Sequence, residues 1–192
     1  MAASDAQLWR RTVADDRDAF SELYRRHSRR LYNYTFRRLG DWSDAEDVVA
    51  SVFLEAYRRR TDPAIDPDKI VAWLFGVATN LAHNHRRGRV RARRLAERTA
   101  AAVRGSSSRE DAARVEAEQT MRAILGHLRT LPRDQQDVVA LCIWAGLSYE
   151  EAATALSVPV GTIRSRLARA RAALAELDMG SRHPVTEAKQ AT

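Results

Sequence analysis

The stretch from Leu147 to Arg171, LSYEEAATALSVPVGTIRSRLARAR, constrains the fold of this chain more than any other. Ser148 and Glu151 are three residues apart and form a capping box, in which the hydroxyl and the carboxylate each accept a hydrogen bond from a free backbone N–H. The run from Ser157 to Pro159 interrupts the apolar pattern, and proline favours the first position of a following helix. The stretch therefore predicts two helices joined by a tight turn, which is the spacing of a helix-turn-helix.

The second predicted helix separates apolar from polar residues. At about 100° per residue, its apolar stripe consists of Val160, Ile163, Leu167, Ala170 and Leu174. The opposite face is small and polar, arginines border it, and no acidic residue occurs between Glu151 and Glu176. An ordinary solvated helix face mixes charges of both signs, whereas this pattern suits the DNA major groove. We predict DNA contacts from Thr162, Arg164, Ser165, Arg166, Arg169 and Arg171.

The charge balance favours an anionic partner. The chain of 192 residues has a formal net charge of +7, and arginine supplies nearly all of its positive charge because Lys69 and Lys189 are its only lysines. Such a balance favours nucleic acid over a membrane surface. No apolar run reaches the ~18 residues of a membrane span, and the N-terminus lacks the apolar core of a secretory signal. We therefore expect a cytoplasmic protein with no membrane segment.

Helical periodicity extends over almost the whole chain, and no segment alternates convincingly as a strand. We predict an all-α fold of two small helical domains joined by a flexible linker, with the helix-turn-helix in the second. The predicted divisions are a first domain at 1–98, a linker at 99–117, a second domain at 118–178 and a polar tail at 179–192. Gly40 and Gly146 are expected to end helices, and Ser108 is expected to cap the helix that begins REDAARVEAEQ.

The sequence DWSDAED, residues 41–47, opens another predicted helix. Ser43 and Glu46 have the spacing of a second capping box, and acidic residues in a first turn interact favourably with the helix dipole. The apolar face of this helix includes Val48, Val49 and Phe53. Two interpretations stay open at this point: a well-capped solvated helix, or a docking face for a basic partner surface.

A long predicted helix begins at Asp66 and Pro67 and carries two stripes. The core stripe has heptad spacing and consists of Ile70, Leu74, Val77 and Leu81. The flank stripe offers stacking and edge hydrogen bonds to unstacked bases, and it consists of Trp73, Gly76, Asn80, His83 and Arg87. The alternative is that Trp73 belongs to the core and that Asn80 and His83 are merely exposed. Seven arginines and one acid between Arg86 and Arg98 favour phosphate binding.

Motifs for catalysis or metal binding are absent from the sequence. There is no phosphate-cradling glycine loop, no cysteine pair for zinc and no nucleophile elbow. His83 and His85 stand two apart on a helix, where side chains point in different directions, so they do not share a metal ion. The single cysteine, Cys142, lies in an apolar run and is expected to pack in the core. We expect no cofactor, no metal ion and no enzyme activity.

In order and spacing, these features resemble a bacterial RNA polymerase sigma factor of the sigma-70 family, in its small extracytoplasmic-function (ECF) group. The resemblance extends from about Asp5 to Leu177 and depends on three motifs. The family's helices that dock on the polymerase clamp are similar to AFSELYRRHSRRLYNYTFRRLGDWSDAEDVVASVFLEAYRR. The segment that melts and reads the minus-10 element is similar to AWLFGVATNLAHNHRR. Region 4, which reads the minus-35 element, is similar to LRTLPRDQQDVVALCIWAGLSYEEAATALSVPVGTIRSRLARARAAL.

The resemblance implies a transcription initiation factor that binds core RNA polymerase and directs it to promoters. Region 2 would lie in 1–98 and region 4 in 118–178, with promoter DNA bound in both double-stranded and single-stranded form. Contacts with the clamp of the largest polymerase subunit are implied for Asp44, Glu46, Asp47, Val48, Val49 and Phe53. Capture of unstacked minus-10 bases is implied for Trp73, Asn80, His83, Asn84, Arg86 and Arg87. An anti-sigma factor is a further partner that the resemblance suggests.

Ala50 and Ser51 depart from the family pattern. The family commonly has Gln followed by Glu or Asp after the valine pair, so two polar contacts with polymerase are missing from this chain. The departure bears on the affinity for core polymerase rather than on the family resemblance.

Three other classes of protein explain less of the sequence. A dimeric helix-turn-helix regulator leaves the acidic helix and the long arginine-rich helix without a role. A nuclease needs a metal site or an acid cluster, which the sequence does not offer. A nonspecific nucleic-acid-binding protein accounts for the arginines but not for the cap, turn and second helix.

Overall fold

A computed structural model of the chain describes residues 3–96 and 109–181. Every regular element in these two ranges is helical, which confirms the predicted all-α fold. In chain order the α-helices are α1 Asp5–Val13, α2 Arg17–Leu39, α3 Trp42–Arg58, α4 Ile70–Ala96, α5 Arg109–Leu128, α6 Arg133–Val139, α7 Tyr149–Leu156 and α8 Val160–Ser181. A 3-10 turn, Pro67–Lys69, leads into α4, and a π-helical segment, Ala140–Trp144, continues α6. No helix within the described ranges is long and apolar enough to cross a bilayer.

The N-terminal unit consists of α1 to α4, and its buried apolar side chains belong to a core that continues into the C-terminal helices. Its largest fully buried side chains include Trp9, Leu23, Leu31, Tyr34, Ile70, Leu74 and Phe75. The predicted core stripe of α4 is confirmed at Ile70 and Leu74, whereas Val77 and Leu81 are only partly buried. The buried face of α4 instead continues through Phe75, Ala78 and Ala82, which lie to one side of the predicted stripe.

The end of α2 and the start of α3 share one short turn. Gly40 ends α2 in a left-handed conformation with φ +71°, and its N–H donates to the carbonyl oxygen of Phe36 at 2.7 Å, as predicted. The predicted capping box of Ser43 and Glu46 is wrong. Helix α3 begins at Trp42, and Asp41 is its N-cap, accepting a hydrogen bond from the backbone N–H of Asp44 at 3.1 Å. The helix starts earlier because the Trp42 ring stacks on Phe36, with 3.4 Å between ring centroids.

The C-terminal unit consists of α5 to α8 and the π-helical segment. Its core includes Leu125, Val138, Leu141, Ile163 and Leu167. The helix predicted to run to Ala145 is present as α6 followed by the π-helical segment, and Gly146 ends it with φ +64°. The chain turns there and enters α7, the first helix of the helix-turn-helix.

Parts of the predicted linker and of the predicted tail are helical. Helix α5 begins at Arg109, so residues 109–117 of the predicted linker are helical. Helix α8 continues to Ser181 and includes the first residues of the predicted tail. Residues 97–108, with the predicted cap Ser108, and residues 182–192 lie outside the described residues.

Candidate nucleic-acid interface

The helix-turn-helix is built by the cap that the sequence predicts. The hydroxyl oxygen of Ser148 accepts from the backbone N–H of Glu151 at 3.1 Å, and the backbone N–H of Ser148 donates to the Glu151 carboxylate at 2.8 Å. Helix α7 ends at Leu156, and Ser157 turns the chain with φ +54°. The backbone N–H of Thr162 donates to the carbonyl oxygen of Pro159 at 2.9 Å in the first turn of α8.

Helix α8 buries one face and exposes the other. Ile163, Leu167 and Ala170 are fully buried, which confirms the predicted stripe at these three positions, whereas Val160 and Leu174 are half-buried. Of the six predicted DNA contacts, Arg164, Ser165, Arg169 and Arg171 are exposed, and Thr162 and Arg166 are half-buried.

The guanidinium group of Arg169 is held along the exposed face of α8. Its Nε and Nη2 atoms donate to the carbonyl and hydroxyl oxygens of Ser165, each at 3.3 Å. The Ser165 hydroxyl in turn donates to the carbonyl oxygen of Thr162 at 3.1 Å. This chain of bonds orders a cation on the surface that would enter a groove.

Arg166 differs from the other predicted DNA contacts. Its Nε atom lies 2.9 Å from the Asp134 carboxylate on α6, and 23% of its side chain is exposed. This ion pair links α8 to α6, so the Arg166 guanidinium already has a partner within the C-terminal unit.

The predicted minus-10 residues divide into two groups on α4. Asn80, Asn84 and Arg87 are exposed, and they follow Trp73 at helical spacing. Trp73 is half-buried, and the guanidinium carbon of Arg59 lies 5.6 Å from the centroid of its ring. Asn84 lies beside the flank stripe, and we call these four residues together the open part of the flank stripe. The second group consists of His83 and Arg86, which are half-buried, and it lies on the side of α4 where Gly76 of the flank stripe is buried.

The C-terminal unit covers this second group. Helix α7 packs on α4 at Gly76, and the π-helical segment packs on α2. Arg30 of α2 donates two hydrogen bonds to the carbonyl oxygen of Ala145, at 3.0 and 2.7 Å. We call the contact between the N-terminal and C-terminal units the interdomain interface.

A polar cluster in the interdomain interface joins α2, α4 and α6. Arg38 donates to Oδ1 of Asp137 at 2.5 Å, and 6% and 11% of these two side chains are exposed. Nε2 of His83 lies 2.7 Å from Nη2 of Arg38 and 2.9 Å from the same Asp137 oxygen. Nε2 either accepts from Arg38 or donates to Asp137, so the tautomer of His83 selects between the two bonds.

Sequence reasoning missed Arg38 and Asp137. One signal was available, because Arg38 follows Leu31 and Tyr34 at the i, i+3, i+7 spacing of the buried α2 face. A charged residue on a buried stripe needs a partner, although the sequence does not say that the partner is Asp137.

The acidic residues of α3 that are predicted to dock on polymerase also divide by burial. Asp47 is exposed and Glu46 lies 3.5 Å from Arg114 of α5, while Asp44 is half-buried, 3.7 Å from Nδ1 of His85. The predicted contacts Val48, Val49 and Phe53 are buried in the core. Their side chains hold α3 in place, and the exposed face of the helix instead presents Glu46, Asp47, Ala50, Ser51 and Leu54.

Groups that bind metal ions do not cluster in the described ranges, where no three His, Cys, Asp or Glu side chains come together. Cys142 is half-buried, and burial raises the pKa of its thiol. A thiol with a raised pKa is a weak nucleophile at neutral pH.

Two family models match the chain. The model described as Sigma-70 region 2 matches residues 23–92, which contain α3, the flank stripe and Arg38. The model described as Sigma-70, region 4 matches residues 121–174, which contain Asp137 and nearly the whole helix-turn-helix.

Individual proteins and solved structures that are similar to this chain are also sigma factors. The chain is 32% identical to the RNA polymerase sigma-H factor of Pseudomonas aeruginosa over 183 residues, which is 88% of this chain and 91% of that protein. It is 34% identical to the ECF RNA polymerase sigma factor SigM of Mycobacterium tuberculosis, over 91% of this chain and 84% of that one. Among solved structures, CnrH in complex with the cytosolic domain of CnrY is similar with a TM-score of 0.68 and 26% identity, covering 93% of this chain and 99% of that one.

Proposed function

This chain belongs to the sigma-70 family, in its ECF group, as a transcription initiation factor that directs RNA polymerase to promoters, and we propose that it does so by joining two short DNA readouts on one scaffold. The first is major-groove recognition of a minus-35 element, and the second is melting and capture of a minus-10 element. Neither readout is strong alone, and their linkage raises the effective affinity. The protein acts by binding rather than by catalysis.

The minus-35 readout rests on the exposed face of α8. That face presents Arg164, Ser165, Arg169 and Arg171, while Ile163 and Leu167 anchor the opposite face in the core. An anchored helix with a basic, acid-free outer face fits the major groove, where side chains reach base edges and arginines hold phosphates. This arrangement is the single observation that carries the proposal.

The minus-10 readout rests on the open part of the flank stripe of α4. Trp73 offers a stacking surface, Asn80 and Asn84 offer amide hydrogen bonds, and Arg87 offers a positive charge, all on one side of the helix. Unstacking a base costs a few kcal/mol, and stacking on an aromatic ring returns about 1–3 kcal/mol per base. Capture of unstacked bases therefore offsets the cost of melting.

Docking on core polymerase is assigned to the exposed face of α3. Glu46 and Asp47 give this face negative charge in a chain that is basic overall, which favours a basic partner surface. The partner we propose is the clamp of the largest polymerase subunit, in the cytoplasm where transcription takes place. By analogy with CnrH, which was solved with the cytosolic domain of CnrY, we also propose a regulatory protein partner of the anti-sigma class.

Run-off transcription tests the proposed function. Purified core polymerase is assayed with and without the protein on a library of random promoters, and the transcribed templates are sequenced. We expect added transcripts whose templates share two short upstream elements at a fixed spacing. Duplex binding without added transcripts would instead indicate an ordinary helix-turn-helix regulator.

A further inference from the structure

The interdomain interface contains more positive than negative charge. Arg86 of the N-terminal unit is half-buried, and its pKa is lowered by burial and by the nearby charges of Arg133, Arg129 and Arg38. Asp137 is the carboxylate that acts on Arg86 in the opposite direction. Positive charge from both units therefore acts on Arg86, which leaves the region electrostatically suited to an additional or a stronger anion.

The position of the Asp137 carboxylate would also suit a phosphate group. One of its oxygens contacts both Arg38 and His83, and Arg86 lies about one helical turn after His83 on α4. Carboxylates and phosphates accept hydrogen bonds from arginine in the same geometry. Replacing a buried ion pair by apolar residues is often neutral or stabilising, so stability alone gives no reason for these charges.

The same cluster adjoins the open part of the flank stripe. Asn80 lies one turn before His83 on α4, and Asn84 follows it directly. A DNA strand whose bases contact Asn80 and Asn84 would bring its backbone within reach of His83 and Arg86. In the structure that approach is closed, because α7 packs on α4 at Gly76 and Asp137 of α6 contacts His83.

We propose that Arg38, His83 and Arg86 form a binding site for a backbone phosphate of single-stranded DNA, and that Asp137 fills this site when the two units are packed together. The ligand follows from the proposed function, on which this inference rests. The C-terminal unit and the DNA strand then compete for one site. Free protein is held in a closed arrangement, and its apparent affinity for the strand is reduced by the fraction of molecules that are open.

Fluorescence anisotropy with a labelled single-stranded oligonucleotide tests the competition on the full chain without polymerase. Asp137→Asn removes the charge that competes with the phosphate, and we expect it to bind the oligonucleotide at least about fivefold more tightly than wild type. Asp18→Asn is the matched control, because it makes the same charge change at an exposed position in the first turn of α2. Equal affinities for the two variants would overturn the proposal.

A second substitution identifies the phosphate site itself. In the Asp137→Asn background, Arg38→Gln should abolish the gain in affinity and reduce the slope of log affinity against log salt by about 0.7, the value for one phosphate contact on a single strand. A purely structural role for Arg38 would leave the salt slope unchanged, and that result would refute the site. Circular dichroism checks that each variant is folded.

Gly76→Ala provides an independent way to open the interdomain interface if Asp137→Asn does not fold. It removes no charge, and it should also raise the affinity for the oligonucleotide, whereas Gly88→Ala on the exposed side of α4 should not. No gain with Gly76→Ala would overturn the competition.

Run-off transcription separates this inference from the proposed function. Promoter-specific transcription by the wild-type protein, together with unchanged binding of the single strand by Asp137→Asn, would refute the masked phosphate site and leave the proposed function intact. Absence of promoter-specific transcription would refute the proposed function. If Asp137→Asn still showed the expected gain in affinity, and Arg38→Gln the expected change in salt slope, the phosphate site would be supported all the same.

Discussion

Gly76 of α4 lies so close to Ala155 of α7 that a Cβ atom on Gly76 would stand 2.5 Å from the carbonyl oxygen of Ala155. An aliphatic carbon and a carbonyl oxygen normally remain roughly 3.3 Å apart. The obstructing atom belongs to the backbone, so a side-chain rotation cannot relieve the contact. Glycine at 76 therefore permits the two units to pack at this distance.

Gly76→Ala should separate the two units. Overpacking of this kind costs about 1–3 kcal/mol, and we expect a lower free energy of unfolding and a larger radius of gyration by small-angle X-ray scattering. Gly88→Ala is the control on the same helix, since nothing lies within 4 Å of its Cβ position. Alanine there should stabilise the helix by about 0.5–1 kcal/mol. Equal effects of the two substitutions would contradict the close approach.

Arg169→Ala should weaken duplex recognition. An arginine with good bidentate geometry on a base edge contributes about 1–3 kcal/mol of discrimination, and the bonds to Ser165 hold Arg169 on the exposed face. Binding to a minus-35 duplex, selected beforehand by run-off transcription, is compared with binding to a scrambled duplex. Unchanged discrimination would show that α8 lies in the groove in another orientation.

Arg166→Ala should affect stability rather than specificity. The Arg166–Asp134 pair joins α8 to α6 at the surface, and such pairs contribute about 0–1 kcal/mol. Chemical denaturation measures this loss, and Asp134→Ala is the matched variant because it removes the same pair. A change in base preference with Arg166→Ala would place this guanidinium on the DNA instead.

Asp47→Ala should weaken docking on core polymerase while the fold is preserved. The side chain is exposed on α3, and losing one surface charge pair costs up to about 1 kcal/mol, or roughly fivefold in affinity. Asp18→Ala, which also removes one exposed acid, should leave polymerase affinity near that of wild type. Titration of core polymerase with labelled protein measures both, and indistinguishable affinities would exclude Asp47 from the docking face.

The pH dependence of stability should report on Asp137. Burial acts to raise its pKa, but the hydrogen bond with His83 and the charge of Arg38 outweigh it, so the pKa lies below its ordinary value of 3.8. A carboxyl with a lowered pKa contributes its stability in full above the ordinary value and loses it as the pH falls through the folded-state value. Asp137→Asn should therefore cost about 3 kcal/mol at neutral pH and less below pH 4. Urea denaturation checks this, and a constant difference would refute the shift.

Local sequence patterns predicted those features of the helix-turn-helix that depend on residues close together in the sequence. The Ser148–Glu151 box forms as predicted because capping involves residues only three apart. Ile163 and Leu167 are buried as predicted because the period of a helix assigns them to one face.

Other features depend on segments that meet only in the folded chain. Arg38 and Asp137 are separated by 99 positions, and nothing in either local sequence indicates the other. Ser43 is not the N-cap because Trp42 packs on Phe36 as the first residue of α3, which leaves Asp41 as the N-cap. Val48, Val49 and Phe53 match the family's docking segment, yet their burial assigns them to the core.

Two N–H groups of Arg30 converge on a single main-chain oxygen, that of Ala145. Every amino acid carries this oxygen, so a substitution at 145 leaves the acceptor in place wherever the new side chain fits. A substitution at 30 removes both donors at once. The two positions are therefore constrained differently: a saturation library should recover small residues at 145, where the side chain is buried, and at 30 only a side chain that can supply the two donors.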